Sequence, residues 1–225
     1  MSFDLGVWCE EAPITASVAG EKYRQFCEGI LDGETDPRVA AFLTGLRSRF
    51  PDLKDDLESS PWNSDPWVGG DHVILTAAWS RAGEIEAFVE RLAAEHELVL
   101  YNPQDEIVRN PPVLLSLPGR TLSMCDGSAL HKPAGAALRE ALHTLSPRNW
   151  FAILDVAEQV YVQVGLGPNA GLEEGMYSLE HRDGSPERHR RHVTTELEAV
   201  IAAFEAVAAN EPDWTERLTW EPLTF

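Results

Sequence analysis

Between Tyr161 and Leu223 the chain runs YVQVGLGPNAG, then EEGMYSLEHRDGSPERHRRHV, then TTELEAVIAAFEAVAANEPDWTERLTWEPL. This order constrains the fold more than any other stretch. Alternating runs at Val160–Val164 and Met176–Glu180 read as strands, because apolar residues at every second position line one face. Asp183-Gly184 then sits before the basic run Arg188–Val193, a strong hairpin signal. Leu197, Val200, Ile201, Phe204, Val207 and Ala208 follow at helical spacing, with Pro212 as a stop. Thr195 and Glu198 have the spacing of a capping box. Paired strands must bury their apolar face, and a one-faced helix is the cover within reach. The expected class is α+β: mixed, mainly antiparallel sheets with one-faced helices packed on them.

The remaining sequence repeats the theme without repeating residues. Phe3, Leu5 and Val7 alternate as a half-buried strand does. Thr15 is placed to cap a helix facing inward through Ala19, Tyr23, Phe26, Cys27 and Ile30. Asp36-Pro37 opens a second helix, with Val39, Phe42, Leu43, Leu46 and Phe50 on one face. His72–Trp79 reads as a central strand, and Ser80 as the cap of a helix carrying Ile85, Phe88, Val89, Leu92 and Ala93. LVLY at 98–101 and EIV at 106–108 read as short strands. Asn110-Pro111-Pro112 punctuates the chain. The expected organisation is therefore two similar-sized halves, 1–110 and 113–225. The second is expected to open with strands at 113–117 and 121–124, then a helix begun by Pro133 and carrying Leu138, Ala141, Leu142 and Leu145.

Charge narrows the function classes. Eighteen Lys and Arg stand against 37 Asp and Glu, a net charge of −19. Such a field repels a phosphate backbone, so direct nucleic-acid binding is not expected. It favours basic partners and speeds encounter with them. Cys9, Cys27 and Cys125 are an odd set with no CxxC pair, which points away from a disulfide framework or zinc knuckle. The start MSFDLGVWCEEAP lacks a secretory pattern, and no window reaches 18 apolar residues. A cytoplasmic protein without a membrane partner is expected.

Local signatures of chemistry are missing. GLGPNAG has glycines at 165, 167 and 171, which is the wrong spacing for a dinucleotide loop, and a strand follows it. His189 and His192 are three apart on a strand, hence on opposite faces and unable to share an ion; an edge strand bearing solvated charge is the plainer reading. No GxSxG, P-loop or HExxH occurs, so no catalytic residue, metal or cofactor is assigned. An alternative enzymatic reading places a site between the halves, with Cys125, His131 and Glu180 as participants. A further alternative is a structural module that joins homo-oligomers.

Residues 51–71 (PDLKDDLESSPWNSDPWVGGD) have no periodicity and read as a long loop. Its acids outnumber Lys54, and Trp62 and Trp67 are interleaved with them. Aromatic anchors among charges are what protein interfaces use. The expected partner contacts are Asp55, Asp56, Glu58, Trp62 and Trp67, with Glu173 and Glu174 second.

The C-terminal third resembles the bacterial immunity proteins that neutralise polymorphic toxins, in particular the family with deaminase-toxin inhibitors. The resemblance is carried by YVQV (161–164), MYSLEHRDG (176–184), SPERHRRHVTT (185–195), ELEAVIAAFEAVA (196–208) and DWTERLTWEPL (213–223). It implies a small α+β cytoplasmic protein that binds a cognate toxin and blocks its active site. The acid excess matches a toxin with a basic cleft. The resemblance covers roughly the last 65 residues, carries no contact residue across, and leaves the N-terminal half without an assigned role.

Overall fold

In the computed structural model, residues 2–223 are described. The chain divides into two compact units, Met1–Ser116 and Leu117–Phe225. Each combines an antiparallel sheet with helices, so the α+β class read from the sequence holds.

In the first unit β1 (Ser2–Trp8), β2 (Trp62–Val68), β3 (His72–Ala78), β4 (Val99–Asn102) and β5 (Ile107–Arg109) form a sheet in the order β2-β3-β1-β4-β5. Strand alternation splits its side chains between two layers. Phe3, Leu5, Val7, Val73, Leu75 and Leu100 bury against α2 (Pro37–Arg49) and α3 (Ala82–Glu95). Trp8, Ile74, Val99 and Tyr101 bury against α1 (Ala16–Cys27) on the other face.

Helix α2 starts as its sequence dictates. Asp36 is the N-cap: its Oδ1 accepts from the Arg38 amide at 2.8 Å, and Pro37 fills the first position. The Arg38 guanidinium also bonds Asp36 at 2.7 Å and holds its carboxyl well below the usual carboxylate range. Replacing Asp36 with Ala is expected to cost about 0.5–2 kcal/mol at neutral pH. Because the folded pKa is depressed, this stabilisation is full above the unfolded value of about 3.9 and is lost as pH falls below it. Urea titrations of both proteins at neutral and acid pH check this; a gap that does not narrow in acid would show that the ion pair contributes nothing.

In the second unit β6 (Thr121–Met124), β7 (Ala129–His131), β8 (Phe151–Ala157), β9 (Val160–Leu166), β10 (Tyr177–Asp183), β11 (His189–Thr194) and β12 (Glu221–Pro222) form a sheet in the order β12-β11-β10-β9-β8-β6-β7. The run β8 to β11 is an antiparallel meander. Helices α5 (Gly135–His143) and α6 (Leu197–Ala208) share one core with the inward residues Leu122, Leu154, Val162, Val164 and Leu179. The expected β10–β11 hairpin forms, with Gly184 at φ +81°, a left-handed value that suits glycine.

Several local expectations are corrected. The segment 51–71 is not all loop, because β2 forms within it along β3, with register shifts at Trp62/Ser64 and Ser64/Trp67 that erase the alternation. The apolar run from Val113 makes a single helical turn, α4 (Pro112–Leu115), rather than a strand; Pro112 at its start lacks the amide a ladder needs. Ser80 does not cap α3, since Trp79–Arg81 form a 3-10 turn ahead of it. Thr195 and Glu198 do not form a capping box. Glu196 is the N-cap residue without a side-chain bond, and Glu198 pairs with Arg139 at 2.6 Å instead. Helix α5 begins at Gly135, after Pro133. Cys27 and Ile30, expected on the inner face of α1, are exposed. The basic run is not an edge strand either, because β12 pairs with Arg190 and Arg191.

Candidate functional site

The acidic segment of the first unit separates into held and free charge. Asp52 is buried and its carboxylate takes Arg47 at 3.0 Å and Lys54 at 3.5 Å. Asp65 accepts from the Leu53 amide, which ties the turns at 53–59 to β2. Asp56 accepts from the Glu58 and Ser59 amides at 3.1 Å each; these backbone bonds lower its pKa. Asp55, Asp56 and Glu58 are all exposed, and among the described residues no salt bridge neutralises them. Between them Leu57 is 76% exposed.

The two tryptophans part company. Trp62, expected as a partner contact, is 4% exposed and packs edge-on against Phe50 at 5.9 Å. Its register opposite Ala77 points it into the α2/α3 layer, so it cannot anchor a partner. Trp67 lies past the register shift, opposite Ile74, and stays 46% exposed. Glu173 and Glu174 are exposed in the β9–β10 connection of the second unit. GLGPNAG runs from the end of β9 into this connection, where Gly167–Ala170 form a 3-10 turn between antiparallel strands rather than a dinucleotide loop ahead of a helix.

Where β1 ends, Asp32, Asp71 and His72 each bring one ligand-type atom within 4.8 Å of the others. No sequence pattern signals this grouping, because Asp32 lies in an irregular segment far from the others. A divalent cation could use such donors, but each already serves the fold. Asp71 accepts from His72 Nδ1 at 2.9 Å and the Gly33 amide at 3.1 Å, and Asp32 accepts from the Gly70 amide at 2.9 Å. His72 is buried, stacked on Phe26 at a centroid distance of 4.1 Å. The cluster clasps the β2–β3 hairpin to residues 32–36. Beside it, burial pushes the Cys9 thiol up to about 12, aided by a hydrogen bond with Asp36. It stays protonated and is a poor nucleophile.

In the second unit, alternation along β9, β10 and β11 puts Tyr161, Gln163, Ser178, Glu180, Arg182, His189 and Arg191 on the face opposite α5 and α6. Glu180 is opposite Gln163 and Arg191; Arg182 is opposite Tyr161 and His189. Glu180 accepts from Gln163 Nε2 at 2.7 Å and from Ser178 Oγ at 3.1 Å, and its Oε2 lies 3.1 Å from Nε2 of the buried His189. The residues of the enzymatic alternative are not brought together: among the described residues no hydrogen bond joins Cys125 or His131 to Glu180. The inner face carries an aromatic group instead. His181 meets Trp214 at 5.1 Å, and burial, then Arg190, lower its pKa. Arg190 stacks over Trp220 at 5.0 Å beside a groove of about 360 Å³. No helix among the described residues is long and apolar enough to cross a membrane.

Comparison with known protein families, with curated proteins and with solved structures finds no match in any of the three.

Proposed function

We propose that this chain is a binding protein that neutralises a cognate basic protein toxin by occluding its active site. The observation that carries the reading is the exposed turn Asp55–Glu58, whose carboxylates form no ion pair among the described residues and flank an exposed Leu57. An apolar contact ringed by free charge is what a docking partner with a basic cleft can use. The charge distribution supports it: the first unit carries 21 acids against 9 bases, net −12, and the second 16 against 9, net −7. The resemblance of residues 161–223 to immunity proteins supports the same role.

Co-expression of the tagged chain with the products of neighbouring genes tests the proposal. A basic, otherwise toxic protein is expected to elute in stoichiometric complex; a clean chain without a partner would sink the reading. With the partner in hand, reversing Asp55, Asp56 and Glu58 to Lys is expected to slow association by about 10- to 1,000-fold and to flatten its salt dependence. An unchanged rate and salt slope would remove this surface from the interface.

A further inference from the structure

The face of the second sheet opposite α5 and α6 holds two arginines to which no carboxylate hydrogen-bonds among the described residues. Arg182 on β10 and Arg191 on β11 are diagonal neighbours, because Arg182 pairs with His189, two residues before Arg191. Such positions are about 7–8 Å apart, within joint reach of long side chains. Arg182 makes no hydrogen bond and no ion pair among the described residues, and its Nε is shielded from solvent without an acceptor. The Arg191 Nε is shielded and unpartnered too. Arg191 forms an ion pair with Glu221 at 3.8 Å, too long for a hydrogen bond. Glu180 lies between them but its carboxylate is filled by Gln163, Ser178 and His189.

In a chain of net charge −19, carboxylates are abundant, yet among the described residues none hydrogen-bonds to either guanidinium, and the ion pair of Arg191 with the exposed Glu221 is long, at 3.8 Å. A shielded N–H on a cation without an acceptor is costly, and a ligand oxygen removes that cost. Guanidinium forks match oxyanions through paired hydrogen bonds. Tyr161, opposite Arg182 and edge-on to His189 at 5.8 Å, adds a phenol whose hydroxyl makes no hydrogen bond among the described residues. We infer that Arg182 and Arg191, with Tyr161, form a binding site for a phosphate-type oxyanion on a small molecule. A dianion matches two guanidinium charges, whereas a single carboxylate engages one fork. The inference does not rest on the toxin-binding reading, whose proposed contact is the exposed turn Asp55–Glu58 of the first unit.

The test is an NMR titration of the full chain with inorganic phosphate at constant ionic strength, following the arginine Nε–Hε resonances. Saturable shifts are expected for Arg182 and Arg191, with acetate binding at least about tenfold more weakly. Arg182→Lys and Arg191→Lys, each checked for folding by circular dichroism, should each weaken phosphate binding by about tenfold or more. Arg188→Lys, which alters a residue paired with Asp183, should leave it unchanged. If Arg182→Lys does not fold, Arg191→Lys and Tyr161→Phe carry the test. Shifts that do not saturate, that chloride reproduces, or that survive Arg191→Lys and Tyr161→Phe would overturn the site.

Discussion

Phe204→Ala is expected to cost about 3–5 kcal/mol, the range for removing a fully buried aromatic ring. Phe204 is 0% exposed, at the centre of the inner stripe of α6. It shares a core with Leu138 and Leu142 of α5 and with the inward residues of β8 to β10. Deleting the ring forfeits both its transfer from water and its dispersion contacts, since close-packed neighbours refill only part of the space. Among the described residues, those of that core all belong to the second unit. The loss therefore falls on the transition that unfolds the second unit, reported by Trp150, Trp214 and Trp220. Ala202, exposed on the same helix, gives the comparison: Ala202→Ser should stay within about 0.5 kcal/mol of the parent. Urea denaturation monitored by fluorescence checks both. A Phe204→Ala cost near that of Ala202→Ser would mean that α6 is not packed on the sheet as described.

That core was legible because its signal is local and repeated. The spacing Leu197, Val200, Ile201, Phe204, Val207 admits one face, and a helix with one apolar face has one place to put it. Asp36-Pro37 was legible for the same reason, because cap and first helical residue are adjacent in sequence. The failures are where a distant partner decides. Glu198 has the spacing of a capping residue, but Arg139, from α5, takes its carboxylate. Trp62 and Trp67 look alike in sequence, and only the register shifts against β3 send one inward and leave the other exposed.

The candidate sites divide along the same line. Exposure of Asp55, Asp56 and Glu58 followed from a polar stretch without periodicity. The arginine pair did not follow. Alternation puts Arg182 and Arg191 on one face, but which face the helices leave bare depends on how α5 and α6 pack. The basic run also read as an edge strand because β12 is two residues long and lies about thirty residues downstream in sequence. The Asp32–Asp71–His72 clasp joins segments with no common pattern and had no sequence signal.

Two glycines of the first unit make opposite predictions from the same substitution. A Cβ built at Gly70 would lie 2.1 Å from the Gly33 carbonyl oxygen and 3.1 Å from the Glu34 carbonyl carbon. Both are backbone atoms, so neither can swing aside. The surroundings are also pinned, because Gly70 bonds Asp32 Oδ1 through its amide and the Asp36 amide through its carbonyl. Gly70→Ala must push the β2–β3 hairpin away from residues 32–36, stretching the clasp and the start of α2. Overpacking of this kind costs about 1–3 kcal/mol, and a fixed backbone contact belongs at the upper end. At Gly83, in the first turn of α3, a Cβ meets nothing within 4 Å. Gly83→Ala should instead stabilise by about 0.4–1 kcal/mol, by restricting the unfolded chain at a helical position. Thermal melts of the two single variants measure the difference in sign. If Gly70→Ala were neutral, the hairpin could not be seated against Gly33, and the clasp of Asp32, Asp71 and His72 would have to be abandoned with it.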